Sequence, residues 1–196
     1  MKLSRRQFFT LLAGLPLLGL LTAAIRRNTP EVLEPTPQCE DADDPTPSQT
    51  EGPYFTPHSP QRSSLLETGL KGTPLVLTGR VLNTKCQPVG RALLDWWHCD
   101  GEGEYDNQGF RLRGHQYADE KGNFRLETIV PGVYPGRTRH IHVKVQGPGK
   151  SILTTQLYFP GEGGNAGDHI FKPALVMAVS RKPGKMEAGF TFVLRA

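Results

Sequence analysis

Two histidines flank one isoleucine in His140-Ile141-His142-Val143-Lys144-Val145-Gln146, a run whose apolar alternation predicts a β-strand. Residues two apart on a strand share a face and lie about 6.5–7 Å from one another along the backbone. Both imidazoles can therefore converge on one ion, while Ile141 points into the opposite layer. Taken alone, a His-x-His pair belongs more often to a surface or core without metal, so an ion needs support from elsewhere in the chain. The histidines at 58, 115 and 169 do not supply it, because each lies in a turn-rich stretch with no partner at ligand spacing.

A strand that presents ligands needs other strands to hold it. Short apolar or alternating runs occupy residues 75–83, 92–100, 123–129, 140–146, 152–159, 175–180 and 189–194. Turn formers separate them, as in Cys86-Gln87-Pro88-Val89-Gly90, Asp119-Glu120-Lys121-Gly122-Asn123 and Gly147-Pro148-Gly149. The 22 glycines and 17 prolines fit many turns, and no helical pattern of useful length appears after residue 50. The expected fold is all-β: a two-sheet sandwich of seven or eight short strands with long loops. Trp96 and Trp97 must alternate across their strand, one entering the core and the other covered by a neighbouring segment. Residues 161–167, rich in glycine, read as a flexible loop and not as a phosphate cradle, since no strand-to-helix switch follows.

The chain divides into residues 1–27, 28–49 and 50–196. Ser4-Arg5-Arg6-Gln7-Phe8-Phe9-Thr10-Leu11-Leu12, with apolar residues as far as Ile25, resembles a twin-arginine export signal. The apolar run approaches membrane-spanning length, and a retained segment would anchor the chain. Gly14, Pro16 and Gly19 weaken that alternative, and Thr22-Ala23-Ala24 offers a small-residue processing site. The expectation is export to the periplasm or beyond by the twin-arginine machinery, a route that carries folded proteins with their cofactors. Residues 28–49, rich in Pro, Thr, Asp and Glu, predict an extended linker.

The net charge of +4 comes from Lys2, Arg5, Arg6, Arg26 and Arg27, which precede every acid in the chain. The remainder is nearly neutral and has no basic stripe interleaved with aromatics, so no nucleic-acid surface is expected. Three cysteines are too few for a disulfide scaffold. An oxidising destination allows one bond, and Cys39 with Cys86 is the preferred pair because Cys39 lies in a tail that needs tethering. Cys99, in an apolar run, is expected to be a buried thiol.

Five ordered motifs extend the reading: Thr50-Glu51-Gly52-Pro53-Tyr54, Trp97-His98-Cys99-Asp100-Gly101-Glu102-Gly103-Glu104-Tyr105, Pro131-Gly132-Val133-Tyr134, Arg137-Thr138-Arg139-His140-Ile141-His142 and Thr155-Gln156-Leu157-Tyr158. Together they resemble the intradiol ring-cleavage dioxygenases across roughly residues 50–193. The resemblance implies one non-haem iron(III) ion held by Tyr105, Tyr134, His140 and His142, with His98 in a non-ligand position. It implies that Arg137 and Gln156 stabilise negative charge developing on a catechol-type substrate as O2 reacts, with Arg139 as the alternative arginine. It also implies that Gly52, Pro53 and Tyr54 line the substrate pocket, and that Tyr134 is the ligand that gives way to substrate. Hard anionic phenolates suit iron(III) better than zinc.

The sequence departs from the family in two places. The stretch before Thr50 cannot supply the helical dimerisation domain of cytoplasmic relatives, which leaves the oligomeric state open, and only residues 135–139 separate the second tyrosine from the first histidine. A short rim suggests an open pocket that accepts substituted catechols. Two rivals remain: a non-catalytic β-sandwich binding module, and a copper or zinc protein using the same His-x-His pair.

Overall fold

The computed structural model describes residues 44–195. The twin-arginine-like segment 1–27 and linker residues 28–43 lie outside the described residues, and no helix among the described residues is long and apolar enough to cross a membrane. Eight strands run in order: β1 (Pro74–Asn83), β2 (Leu93–Trp97), β3 (Arg113–Tyr117), β4 (Asn123–Ile129), β5 (His140–Gln146), β6 (Ile152–Tyr158), β7 (Ala178–Lys182) and β8 (Lys185–Leu194). The only helical turns among the described residues are short 3-10 turns at Asn165–Gly167 and Pro173–Leu175.

The strands form two four-stranded sheets, ordered β4-β1-β8-β7 and β3-β2-β5-β6. All pairings are antiparallel except β1 with β8. Period-two patterning explains why the sheets face each other. In β8, Met186, Ala188, Phe190, Phe192 and Leu194 are buried in alternation. From the opposite sheet, Leu94, Trp96, Ile141, Val143, Val145 and Leu157 complete the core. Trp96 packs against Phe124 and Phe192, with ring centroids 5.6 and 6.1 Å away. Each fully buried side chain of this kind stabilises the fold by about 1.5–3 kcal/mol relative to exposure.

The other face of the β3-β2-β5-β6 sheet is polar and yet buried. Register places Arg113 opposite Trp97, Trp97 opposite His142, and His142 opposite Gln156. His140 lies opposite Tyr158 on that same face. A buried row of polar groups requires a cover, and the segment before β1 supplies one. Gln49 N donates to Thr154 O at 2.8 Å, Ser59 Oγ donates to Asp95 at 2.7 Å, and Arg113 Nη1 donates to Tyr54 O. Lys144 completes the cover by lying over the Phe55 ring, 3.7 Å from its centroid, and pairing with Glu51.

Several element boundaries differ from the sequence expectation. β3, Arg-Gly-His-Gln-Tyr, has no apolar run; it is held as an edge strand by pairing with β2 and by a bridge from Gln61 to His115. The run at 175–180 divides into a 3-10 turn and β7, and β7 continues through Pro183-Gly184 into β8, where Gly184 at φ 73° suits the hairpin turn. Linker residues 44–49 are not free of the domain, because Thr46 bonds both ways with Val193 and Thr155 Oγ1 donates to Pro47 O. Cys99 is free and buried, and Cys86 is disulfide-bonded. Cys39 lies outside the described residues, so the Cys39–Cys86 pairing stays an expectation.

Candidate metal centre

β5 carries both histidines to one end of the polar face, buried to 3 % exposure each, with Ile141 between them in the core. His140 Nδ1 lies 2.6 Å from Thr138 O. A carbonyl only accepts, so Nδ1 carries the proton and Nε2 presents its lone pair. His140 Nε2 and His142 Nε2 approach to 3.1 Å, a separation suited to two nitrogens aimed at one point. The Trp97 indole stacks on the His142 ring, centroids 4.8 Å apart and planes 11° from parallel. Gly52 closes the other side: at φ +71°, its missing Cβ would sit 3.5 Å from His142 Cε1.

The tyrosines arrive on loops. Tyr105 follows a turn in which Asp100 accepts from Glu102 N and Glu104 N, and its hydroxyl lies 3.4 Å from His140 Nε2. Tyr134 follows Gly132, where any Cβ would lie 2.5 Å from Gly103 N; that close approach between the loops requires glycine. The Tyr134 ring meets Tyr105 edge-on at 5.8 Å. Tyr54 joins them: its ring stacks on Tyr105 at 4.4 Å and its hydroxyl lies 2.7 Å from Tyr134 Oη. The structure thus brings Tyr105, Tyr134, His140, His142, Gly52 and Tyr54 together, with Pro53 exposed between the last two.

Electrostatics favour neutral groups at this centre. Burial, with Arg137 nearby, lowers His140 to about 4, and burial together with His140 and Arg137 holds His142 well below its usual 6.5. Burial pushes the Tyr105 phenol well above its ordinary 10. A set of two imidazoles and two phenols able to ionise fits a hard, highly charged cation, since each phenolate formed offsets one unit of its charge. His142 Nδ1 is buried with no hydrogen-bond partner among the described residues.

Arg137 lies beside this cluster. Its Nε donates to Asp168 Oδ2 at 2.9 Å and its Nη2 to Gln156 Oε1 at 2.7 Å. Gln156, fully buried, donates from Nε2 to Thr50 O at 3.0 Å. Arg139 is committed elsewhere, to Glu162 at 3.1 Å and to Pro131 O. His98 instead bonds Cys99 O and Thr128 Oγ1. Sequence reasoning missed Asp168, the stacking of Trp97 on His142 and buried Arg113, while Tyr158 stood in a quoted motif without a role. Arg113 carried no signal, since its strand has no apolar run and Arg111 lies two residues before it.

The Dioxygenase family model matches residues 50–195. The chain is 28% identical to 6-chlorohydroxyquinol 1,2-dioxygenase of Cupriavidus pinatubonensis over 97% of this chain and 75% of that enzyme. It is 30% identical to catechol 1,2-dioxygenase of Candida albicans over 55% of this chain, and there it spans only 45% of the relative's length. Its structure is similar to the dioxygenase domain of a dioxygenase carbohydrate-binding protein fusion from the cellulolytic bacterium Streptomyces sp. SirexAA-E, 54% identical over 78% of this chain and 99% of that one, with a TM-score of 0.76. With the match running through every strand and every residue of the centre, the chain belongs to the intradiol ring-cleavage dioxygenase family.

Proposed function

We propose that the chain is an iron(III)-dependent dioxygenase that opens catechol-type rings between the two hydroxylated carbons and yields muconate-type dicarboxylates. The observation that carries this reading is the meeting of Tyr105 Oη, His140 Nε2 and His142 Nε2 within 3.1–3.4 Å steps, with Tyr134 beside them. When bound, the trivalent ion supplies a Lewis acid that holds the diol as its dianion and draws electron density from the ring. Both atoms of O2 enter the product, so no external reductant is consumed.

The remaining work falls to the chain. Thr138 O keeps His140 in the tautomer that presents Nε2, and Trp97 keeps water from one face of His142. Tyr134 would hold the ion in the absence of substrate, and its Oη would take one of the two protons that the diol must lose. Tyr54 Oη lies 2.7 Å from Tyr134 Oη and can donate to that oxygen or receive a bond from it. Arg137, permanently cationic, favours negative charge on the ring carbon that meets oxygen. Export by the twin-arginine route and a preference for substituted catechols belong to this proposal; the short connection 135–139 and the exposure of Val133 next to Tyr134 support the latter.

Metal analysis of protein recovered from its native export route, with oxygen uptake and product identification on catechol, tests the reading. Stoichiometric iron, visible phenolate absorption and a cis,cis-muconate product are expected. A ring opened beside the diol, a copper or zinc protein, or a metal-free chain would each overturn it.

A further inference from the structure

The glycine-rich stretch 161–167 has no part in the chemistry derived above, yet it delivers two side chains to the flank of the centre. Asn165 Oδ1 accepts from Thr138 Oγ1 at 2.7 Å, and Gly164 lies so close that a Cβ would meet Thr138 Oγ1 at 3.2 Å. Asp168 follows immediately. Its side chain is 1% exposed, and its Oδ2 accepts both Arg137 Nε at 2.9 Å and Thr138 N at 3.0 Å, while Oδ1 accepts Ile170 N at 3.1 Å. Thr138 is the residue whose carbonyl fixes His140 Nδ1.

Arg137 is therefore held at two places, by Asp168 on Nε and by Gln156 on Nη2, with a longer contact of 3.5 Å to Tyr158 Oη. Nη1 has no hydrogen-bond partner among the described residues. Two anchors on one planar group remove rotation about its long side chain, so the free edge points one way only. A single neutral acceptor would leave the guanidinium free to turn about Nη2. The carboxylate also balances the arginine's charge, which otherwise would sit half-buried without a counter-ion.

We propose that Asp168 is a positioning residue for ring cleavage: its buried carboxylate clamps Arg137 through Nε, holding the guanidinium in one orientation beside Tyr105, His140 and His142. The role rests on the function proposed above. In this proposal Asp168 acts through Arg137; its bond to Thr138 N would act through His140 instead, and iron content with the phenolate absorption reports that route. The loop at 161–167 is accordingly a mount, in which Gly164 lets the chain pass close to Thr138 and Asp168, next along the chain, meets the arginine.

A double-mutant cycle tests this with the full, iron-loaded protein: Asp168→Asn, Arg137→Met and both together. Asp168→Asn should lower kcat about tenfold with KM changed less than about threefold, the pattern of an interaction made in the transition state. In the Arg137→Met background the same substitution should have no further effect on kcat. Iron content and the phenolate absorption of the substrate-free protein should stay at the wild-type level. Unchanged kcat in Asp168→Asn, or independent effects that multiply in the double variant, would overturn the proposal. Should Asp168→Asn not fold, Asp168→Glu displaces the carboxylate by one methylene and must show the same non-additivity.

The Arg137 Nε–H resonance of the metal-free protein provides a readout that needs no turnover. It should be slow to exchange in the wild type and lose that protection in Asp168→Asn; an unaffected signal would overturn the clamp. A wild-type protein that gives no intradiol product would sink the functional reading, and the Nε–H comparison would still decide the clamp.

Discussion

His98 is the group whose removal most directly tests how this domain tolerates acid. The ring is 1% exposed and makes two bonds, Nδ1 with Cys99 O at 2.6 Å and Nε2 with Thr128 Oγ1 at 2.7 Å. A carbonyl cannot donate, so Nδ1 carries the proton and Nε2 accepts from the threonine hydroxyl. Protonating Nε2 would cost that bond and bury a cation. Burial accordingly lowers His98 from 6.5 to about 4. Above pH 6.5 the ring is neutral folded or unfolded and stability does not depend on its titration. As pH falls from 6.5 to about 4, the unfolded chain binds a proton that the folded one refuses, so stability is lost through that window. At about 1.4 kcal/mol per unit, the loss attributable to His98 is about 3 kcal/mol. His98→Leu strands Cys99 O and Thr128 Oγ1, each worth about 1–3 kcal/mol, so the variant should be about 2–6 kcal/mol less stable at pH 7.5. By pH 4 the difference should shrink by about 3 kcal/mol, because only the wild type has lost His98's contribution. His140 lowers His98 and His98 lowers His142 through charge, so only the uncoupled part of the His140 and His142 titration cancels in the comparison. Urea unfolding of metal-free protein at several pH values measures it. A constant difference between pH 7.5 and 4, or a His98 ring titrating near 6.5 by NMR, would refute the reasoning.

Other outcomes are expected along the same lines. Tyr134→Phe should keep iron, shift its visible absorption and slow catechol binding about 100-fold through loss of the internal base, whereas Tyr105→Phe should lose more metal; wild-type binding by Tyr134→Phe would refute the division of roles. Gly52→Ala, forced to φ +71°, should cost about 1–2 kcal/mol in urea unfolding, yet leave metal content unchanged because its methyl would meet His142 Cε1 at an ordinary 3.5 Å. Non-reducing peptide mapping should recover Cys39 with Cys86, a bond worth about 3–4 kcal/mol, and Cys99 in the bridge would count against the pairing. Rates on catechol, protocatechuate and bulky 4-substituted catechols should show tolerance of substituents; strict preference for unsubstituted catechol would contradict an open pocket.

Of the centre, spacing alone made only the histidine pair legible, whereas Tyr105 and Tyr134 were picked out by the resemblance to the family. His140 and His142 share a face whatever surrounds them, since a strand alternates sides at every residue, and Ile141 must then enter the core. The apolar alternation of β1, β4, β5 and β8 announced two facing layers for the same reason. Only the tertiary structure decided what surrounds these residues, because their partners lie far along the chain and follow no local period. Asp168 is 31 residues from Arg137, and Tyr54 is 80 from Tyr134. The strand Arg113–Tyr117 was invisible because pairing with β2, and not an apolar pattern, makes it a strand. Trp97 shows the boundary most clearly. Alternation required it to face away from Trp96, but register between β2 and β5 is what lays its ring on His142. Register depends on how whole sheets settle their cores, and no window of sequence contains that information.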